Sequence, residues 1–167
     1  MAEEASESTQ VRVLFLCVHN AARSQMAEAL LRHLAPDSCV VESAGFEPRP
    51  VLPEAVRAMS LIGIDISGAH SKAVFDLYRA GRIFDYVVTV CDEATAERCP
   101  IFPGVCERVH WNFADPSAAV GTDAERLRQV VEIRDQIKLR IEAWLAAKRA
   151  TGLLPRLGTS HQDQRKG

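Results

Sequence analysis

The chain has 167 residues, the length of a single domain with enough interior to enclose a real core. It is 47% apolar and 25% charged, and no apolar run approaches the ~20 residues that a membrane-crossing helix needs. A formal net charge of -2 is too balanced for a protein that grips phosphodiester backbones, so membrane and nucleic-acid roles are set aside.

Residues 1–10, MAEEASESTQ, are acidic and polar, with neither the basic start nor the apolar stretch of a secretory signal. They read as a disordered tail on a cytoplasmic protein. Val11 to Cys17 (VRVLFLC) is a nearly continuous apolar run, the pattern of a strand buried on both faces. After Ser24, Met26, Leu30, Leu31 and Leu34 recur at helical spacing until Pro36 stops them. Cys39 to Ala44 reads as a strand, Pro53 to Leu61 as a helix, and Tyr86 to Val90 as another buried strand. Arg108 to Phe113 reads as a fourth strand, with Val109, Trp111 and Phe113 alternating as core. Thr122 and Glu125 resemble a capping box before a long helix whose Leu127, Val130, Val131, Ile137, Ile141, Trp144 and Leu145 share a face. Residues 151–167 mix Gly, Pro, Gln and charges without a period and read as a flexible tail, leaving a domain at 11–150. Strands alternating with helices predict an α/β fold: a four-stranded parallel sheet flanked by helices on both faces.

Ligands of such folds bind beyond the carboxyl ends of the strands. Cys17 ends the first predicted strand, Cys91 directly follows the third, and Asp115 lies just past the fourth. All three are expected at one edge of the sheet. Between the first strand and its helix runs Cys17-Val18-His19-Asn20-Ala21-Ala22-Arg23-Ser24, a C-x-x-x-x-x-R-S spacing. A loop this tight aims successive amides inward, and the helix adds the positive end of its dipole, which together seat a tetrahedral oxyanion. Arg23 offers a bidentate fork to that ion, and Ser24 a hydrogen bond to the Cys17 sulfur. The same donors favour Cys17 as the nucleophilic thiolate. The competing reading of Cys17 is a buried structural cysteine.

Five cysteines (Cys17, Cys39, Cys91, Cys99, Cys106) are odd in number and widely spaced, which argues against a static disulfide framework. Cys39, inside a predicted strand, reads as core. A zinc site of Cys91, Cys99, Cys106 and His110 lacks the close ligand pairs of structural zinc, so no metal is expected.

The chain resembles the arsenate reductases built on the low-molecular-weight protein tyrosine phosphatase fold. The resemblance rests on LFLCVHNAARSQMAEAL, ESAG from Glu42, GIDIS from Gly63, VVTVCDEA from Val87, CPIFPG from Cys99, HWNFADP from His110 and IRDQI from Ile133. It implies Asp115, in its Asp-Pro context, as the general acid. It also implies a thiol relay in which Cys91 attacks the Cys17 arsenic adduct and Cys99 then attacks Cys91. The resulting disulfide would be carried by a segment, DEATAER, that looks mobile, and reduced by thioredoxin, with glutaredoxin or a low-molecular-weight thiol as alternative donors. No tightly bound cofactor is implied, only this external thiol reductant, and the enzyme is expected to act as a monomer on arsenate. Seven residues separate Cys91 from Cys99, and Cys106 is an additional thiol that competes for the terminal role.

Asn20 is implied as a brace for the loop, tolerating a positive φ, and His19 as a rim residue. Some members hold potassium beside the loop with residues matching Asn20, Glu28 and Ser43 and an acidic residue that here aligns with Lys72. The expectation is that the Lys72 ammonium replaces that cation next to Glu28, the alternative being a solvated surface lysine. Two other functions stay open. A tyrosine phosphatase needs an aromatic residue after Asp-Pro, where this chain has Ser117, and a noncatalytic oxyanion sensor leaves Asp115 and the paired thiols without a role.

Overall fold

The computed structural model describes residues 10–91 and 98–154. In chain order the elements are β1 (Val11–Cys17), α1 (Arg23–Leu34), β2 (Cys39–Gly45), α2 (Pro53–Ser60), α3 (Val74–Arg79), β3 (Tyr86–Thr89), β4 (Glu107–His110), a 3-10 turn (Pro116–Ala118) and α4 (Asp123–Ala150). The four strands form one sheet in the order β2-β1-β3-β4, and every pairing is parallel. The expected sheet is therefore present. Its central strand is β1, which explains the apolar run: Val13, Leu14, Phe15 and Leu16 are all at most 1% exposed, because both faces are covered.

Strand alternation sends those side chains into two cores. Val13, Phe15 and Cys17 join the larger one with Met26, Leu30, Val88 and Val90. α1 and α2 both pack against α4 on that side, and Val130, Ile133, Ile137, Ile141 and Leu145 are the buried stripe of α4. Leu14 and Leu16 face the opposite way into a smaller core with Val74, Phe84, Val87, Cys99 and Phe102. There α3 contributes only Val74 as a buried residue. Phe102 is held edge-on between Phe84, centroids 5.3 Å apart, and Tyr78, 6.0 Å.

The fourth strand is shorter than the alternation predicts. The Trp111 amide still bonds to the Thr89 carbonyl at 2.8 Å, but there the chain leaves the sheet. Trp111 is nonetheless buried, tilted against Phe15 with centroids 6.0 Å apart, and Phe113 packs partly buried on the larger core. The alternation recorded burial rather than strand. At the start of α4 the Thr122 hydroxyl accepts from the Glu125 amide at 3.2 Å and donates to the Glu125 carboxylate at 3.0 Å, an N-terminal cap. Beyond the helix, Leu154 folds back and is 3% exposed in the larger core. The rest of the expected C-terminal tail, residues 155–167, most of the expected N-terminal tail and residues 92–97 of the expected mobile segment lie outside the described residues.

Candidate active site

β1 delivers Cys17 to the carboxyl edge of the sheet, and the loop that follows curls beneath it. The segment after β2 runs alongside this loop and takes up its carbonyls. Amides of Phe46, Glu47, Arg49 and Leu52 donate to the carbonyl oxygens of Cys17, Val18, His19 and Ala21, at 3.4, 2.8, 3.0 and 2.8 Å. In a planar trans peptide the next residue's N–H points opposite to the carbonyl. With the carbonyls held outward, the amides of Val18, His19, Asn20 and Ala22 face the hollow. Gly45 permits this close approach: a Cβ there would lie 2.7 Å from the Asn20 nitrogen, 2.8 Å from the His19 carbonyl carbon and 2.8 Å from the Val18 oxygen. The α1 helix starts at Arg23 with no acidic residue in its first turn, so nothing on the helix competes for its dipole.

Two polar groups converge on the Cys17 sulfur. Its Sγ lies 2.8 Å from the Ser24 hydroxyl and 3.1 Å from the Asn20 amide nitrogen. Asn20 is fully buried at φ 50°, the only described non-glycine residue with positive φ. Its side chain donates to Ser24 and Ser43 at 2.8 and 3.0 Å, and accepts from Gln25 and the Lys72 amide at 3.1 and 2.9 Å. These four bonds hold a backbone conformation that L-residues avoid. Gln25, 1% exposed, also reaches the Asn20 and His70 carbonyls, a brace that sequence reading missed.

Arg23 lies over the same hollow, 9% exposed. It donates to the Phe113 carbonyl at 3.2 Å and stands 3.9 Å from the Asp115 carboxylate. Asp115 caps the short 3-10 turn, accepting from the Ser117 amide at 2.9 Å and the Ser117 hydroxyl at 2.8 Å. Burial pushes its carboxyl up, but the Ser117 donors, with Arg23 and His19 behind them, outweigh that and hold it below the usual carboxylate range. Cys17, Arg23, Asp115, Ser117, His19 and Leu52 share a cavity of about 30 Å³. That is room for a small ion, and no Phe, Tyr or Trp ring lines it. His19 sits on the rim with its Nδ1 2.9 Å from the Glu47 carbonyl.

Glu28 and Lys72 line a separate, larger groove of about 810 Å³ behind α1, which reaches neither Cys17 nor Asp115. Within it the Lys72 ammonium is 3.9 Å from the Glu28 carboxylate, which Arg32 also approaches at 3.6 Å. Ser43 is fully buried under Asn20.

The cysteines divide between the two cores. Cys17 and Cys91, at 3% and 0% exposure, belong to the larger one, although Cys91 does not line the small cavity. Cys99, at 7%, lies across the sheet in the smaller core, and Cys106 packs half-buried against that core. The edge expected to gather Cys17, Cys91 and Asp115 thus brings Cys17 and Asp115 into one cavity and buries Cys91 in the larger core without lining it. Burial raises the Cys39 thiol to about 11 against a partial pull from Arg149, leaving it neutral and inert in the core. His110 is tied to the Thr89 hydroxyl at 2.7 Å, and among the described residues no group of three or more His, Cys, Asp or Glu gathers to hold a metal.

Residues 12–151 match the family described as low molecular weight phosphotyrosine protein phosphatase. An arsenate reductase of Halalkalibacterium halodurans is 44% identical over 134 residues, covering 79% of this chain and 93% of that protein. The arsenate reductase of Shouchella clausii is 43% identical over 131 residues, covering 78% and 91%. Among solved structures, a thioredoxin-dependent arsenate reductase of Corynebacterium glutamicum superposes with a TM-score of 0.66 at 34% identity, over 90% of this chain and 67% of that one. The resemblance read from the sequence motifs is borne out, and the chain belongs to the low molecular weight phosphotyrosine protein phosphatase family.

Proposed function

We propose that this protein reduces arsenate to arsenite through a relay of its own thiols, regenerated by an external thiol reductant of the thioredoxin kind. The observation that carries this reading is the Cys17 sulfur under two polar groups at the floor of a cavity shared with Arg23 and Asp115, with a second cysteine buried in the same core. The loop amides and Arg23 seat the oxyanion, and Cys17 attacks arsenic while Asp115 protonates the departing oxygen. Cys91 then attacks the Cys17 sulfur. The sulfur–arsenic bonding pair stays on arsenic, arsenite leaves, and a Cys17–Cys91 disulfide forms. Cys99 attacks Cys91 in turn and frees Cys17.

Strand register supports the second step. The Val90 amide bonds to the Leu16 carbonyl at 2.8 Å, so extending the β1–β3 ladder pairs Cys17 with Val90. This sets the residue before Cys91 alongside the end of β1, and Cys91 itself is buried in the core that holds Cys17. The names of the relatives, and the thioredoxin dependence named for one of them, point the same way.

Lys72 fits as a built-in cation: its ammonium is beside Glu28, and its amide anchors Asn20. Potassium should then affect turnover no more than sodium does. The protein is proposed to act as a monomer in the cytoplasm, and among the described residues no helix is long and apolar enough to cross a membrane. Residual hydrolysis of small aryl phosphates is expected because it needs only Cys17, Arg23 and Asp115.

A coupled assay following NADPH oxidation through thioredoxin reductase and thioredoxin tests the proposal. Cys17→Ser should abolish both arsenate turnover and aryl phosphate hydrolysis, and Cys91→Ser should abolish arsenate turnover alone. Undiminished arsenate turnover in Cys91→Ser would refute the relay.

A further inference from the structure

The cavity over Cys17 is lined by four ionisable residues: Cys17, His19, Arg23 and Asp115. The proposed reaction gives work to three of them and none to His19. The His19 ring is not loose. Its Nδ1 lies 2.9 Å from the Glu47 carbonyl, which can only accept, so Nδ1 carries a hydrogen. The Glu47 amide in turn donates to the Val18 carbonyl at 2.8 Å, and the Arg49 amide to that of His19 at 3.0 Å. The ring is thus tied to the same segment that shapes the loop. Nε2, on the far side of the ring, has no hydrogen-bond partner among the described residues.

The charges round the cavity show what that nitrogen can do. In the proposed reaction Cys17 attacks as a thiolate, and Asp115, held below the usual carboxylate range, is charged in the free protein at neutral pH. Arg23 is the one permanent cation on the lining. Without His19, two negative charges and one positive would meet an arriving dianion. An imidazolium at position 19 brings them to balance. Its charge already reaches the site, being among the influences that lower the Asp115 carboxyl, although the ion-pair partner of Asp115 is Arg23 at 3.9 Å. Of the charged residues in the segment after β2, Glu47 pairs with Arg98 at 3.7 Å, and Arg49 is exposed.

Resting on the reaction proposed above, we infer that His19 is the second cation of the oxyanion seat: with Nδ1 fixed on the Glu47 carbonyl, its imidazolium donates from Nε2 to an oxygen of the bound ion, beside Arg23. The charged ring makes both bonds at once. In the neutral ring the hydrogen stays on Nδ1 for Glu47, and Nε2 becomes an acceptor that turns a lone pair towards an anion. Binding of the ion therefore weakens as pH rises through the range in which imidazole loses its charge, about pH 5 to 8. Asp115 titrates below that range, and a guanidinium keeps its charge throughout. Exchanging Cys17 for serine removes the remaining titratable group on the lining.

The test is calorimetric titration of the full-length Cys17→Ser protein with sulfate, a tetrahedral ion that stays doubly charged from about pH 5 to about pH 8. Affinity should fall about tenfold or more across that range. His19→Asn added to Cys17→Ser keeps a donor near the Glu47 carbonyl but carries no charge, and its sulfate binding should be weak and level with pH. Equal affinity and equal pH slope in the two proteins would overturn this inference and leave the loop, Arg23 and the relay standing. Weak binding that keeps the slope would overturn it as well, since that is the result of a distorted loop. No sulfate bound at any pH would remove the oxyanion seat itself, and with it both this inference and the proposed reaction.

Discussion

Asp115 and Ser117 show how one neighbour tunes one proton. The free carboxyl is held low mainly because the Ser117 hydroxyl and amide, 2.8 and 2.9 Å from Oδ1, outweigh the effect of burial. As the proposed acid for a leaving oxygen, Asp115 must carry its proton, so kcat/KM for aryl phosphate hydrolysis should fall as pH rises through its pKa. A depressed pKa places that fall at acid pH. Ser117→Ala removes one of the two donors, the carboxyl titrates higher, and the falling limb should move to higher pH. A limb that does not move would show that Asp115 is not the proton donor. The same serine stands where a phosphotyrosine-binding aromatic is expected, so one residue both tunes the acid and leaves the cavity without a wall for a ring.

At the scale of elements, the phosphate-type loop owes its shape to the strand beside it. β2 ends in Gly45 directly against the backbone of Val18, His19 and Asn20. Because the atoms a Cβ would meet are main chain, Gly45→Ala cannot be relieved by a side-chain rotation. It should cost about 2 kcal/mol in urea unfolding and lower both arsenate and aryl phosphate activity about tenfold or more. Wild-type kinetics in that variant would show that the loop does not depend on this contact. The central elements were legible in the sequence because their signals are strong and local: β1 is an apolar run, α1 follows a 3.6 period, and α4 begins with a cap. α3 was not read because VFDLYR is six residues long and buries only Val74. The fourth strand was overextended because Trp111 and Phe113 remain core after their backbone has left the ladder. Cys17, Arg23 and Asp115 could be read from strand ends and spacing. The part played by Gln25 and Gly45 could not, since it depends on which loop lies against which.

Across the whole molecule, the parallel sheet separates the chemistry into two compartments. Cys17 and Cys91 are buried on the face covered by α1, α2 and α4, where the proposed relay has its binding step and first thiol exchange. Cys99 and Cys106 belong to the other face, under α3 and Phe102. No spacing in the sequence revealed this division, because it depends on the path of the chain between Cys91 and Cys99. In the proposed relay, this division keeps the arsenic chemistry on one face of the sheet and the resting terminal thiol on the other. The most direct measurement of this account is a single-turnover quench of the fully reduced protein with arsenate and no added thiol. It should release about one arsenite per chain and consume two thiols, whereas no arsenite released and every thiol still titratable would contradict it.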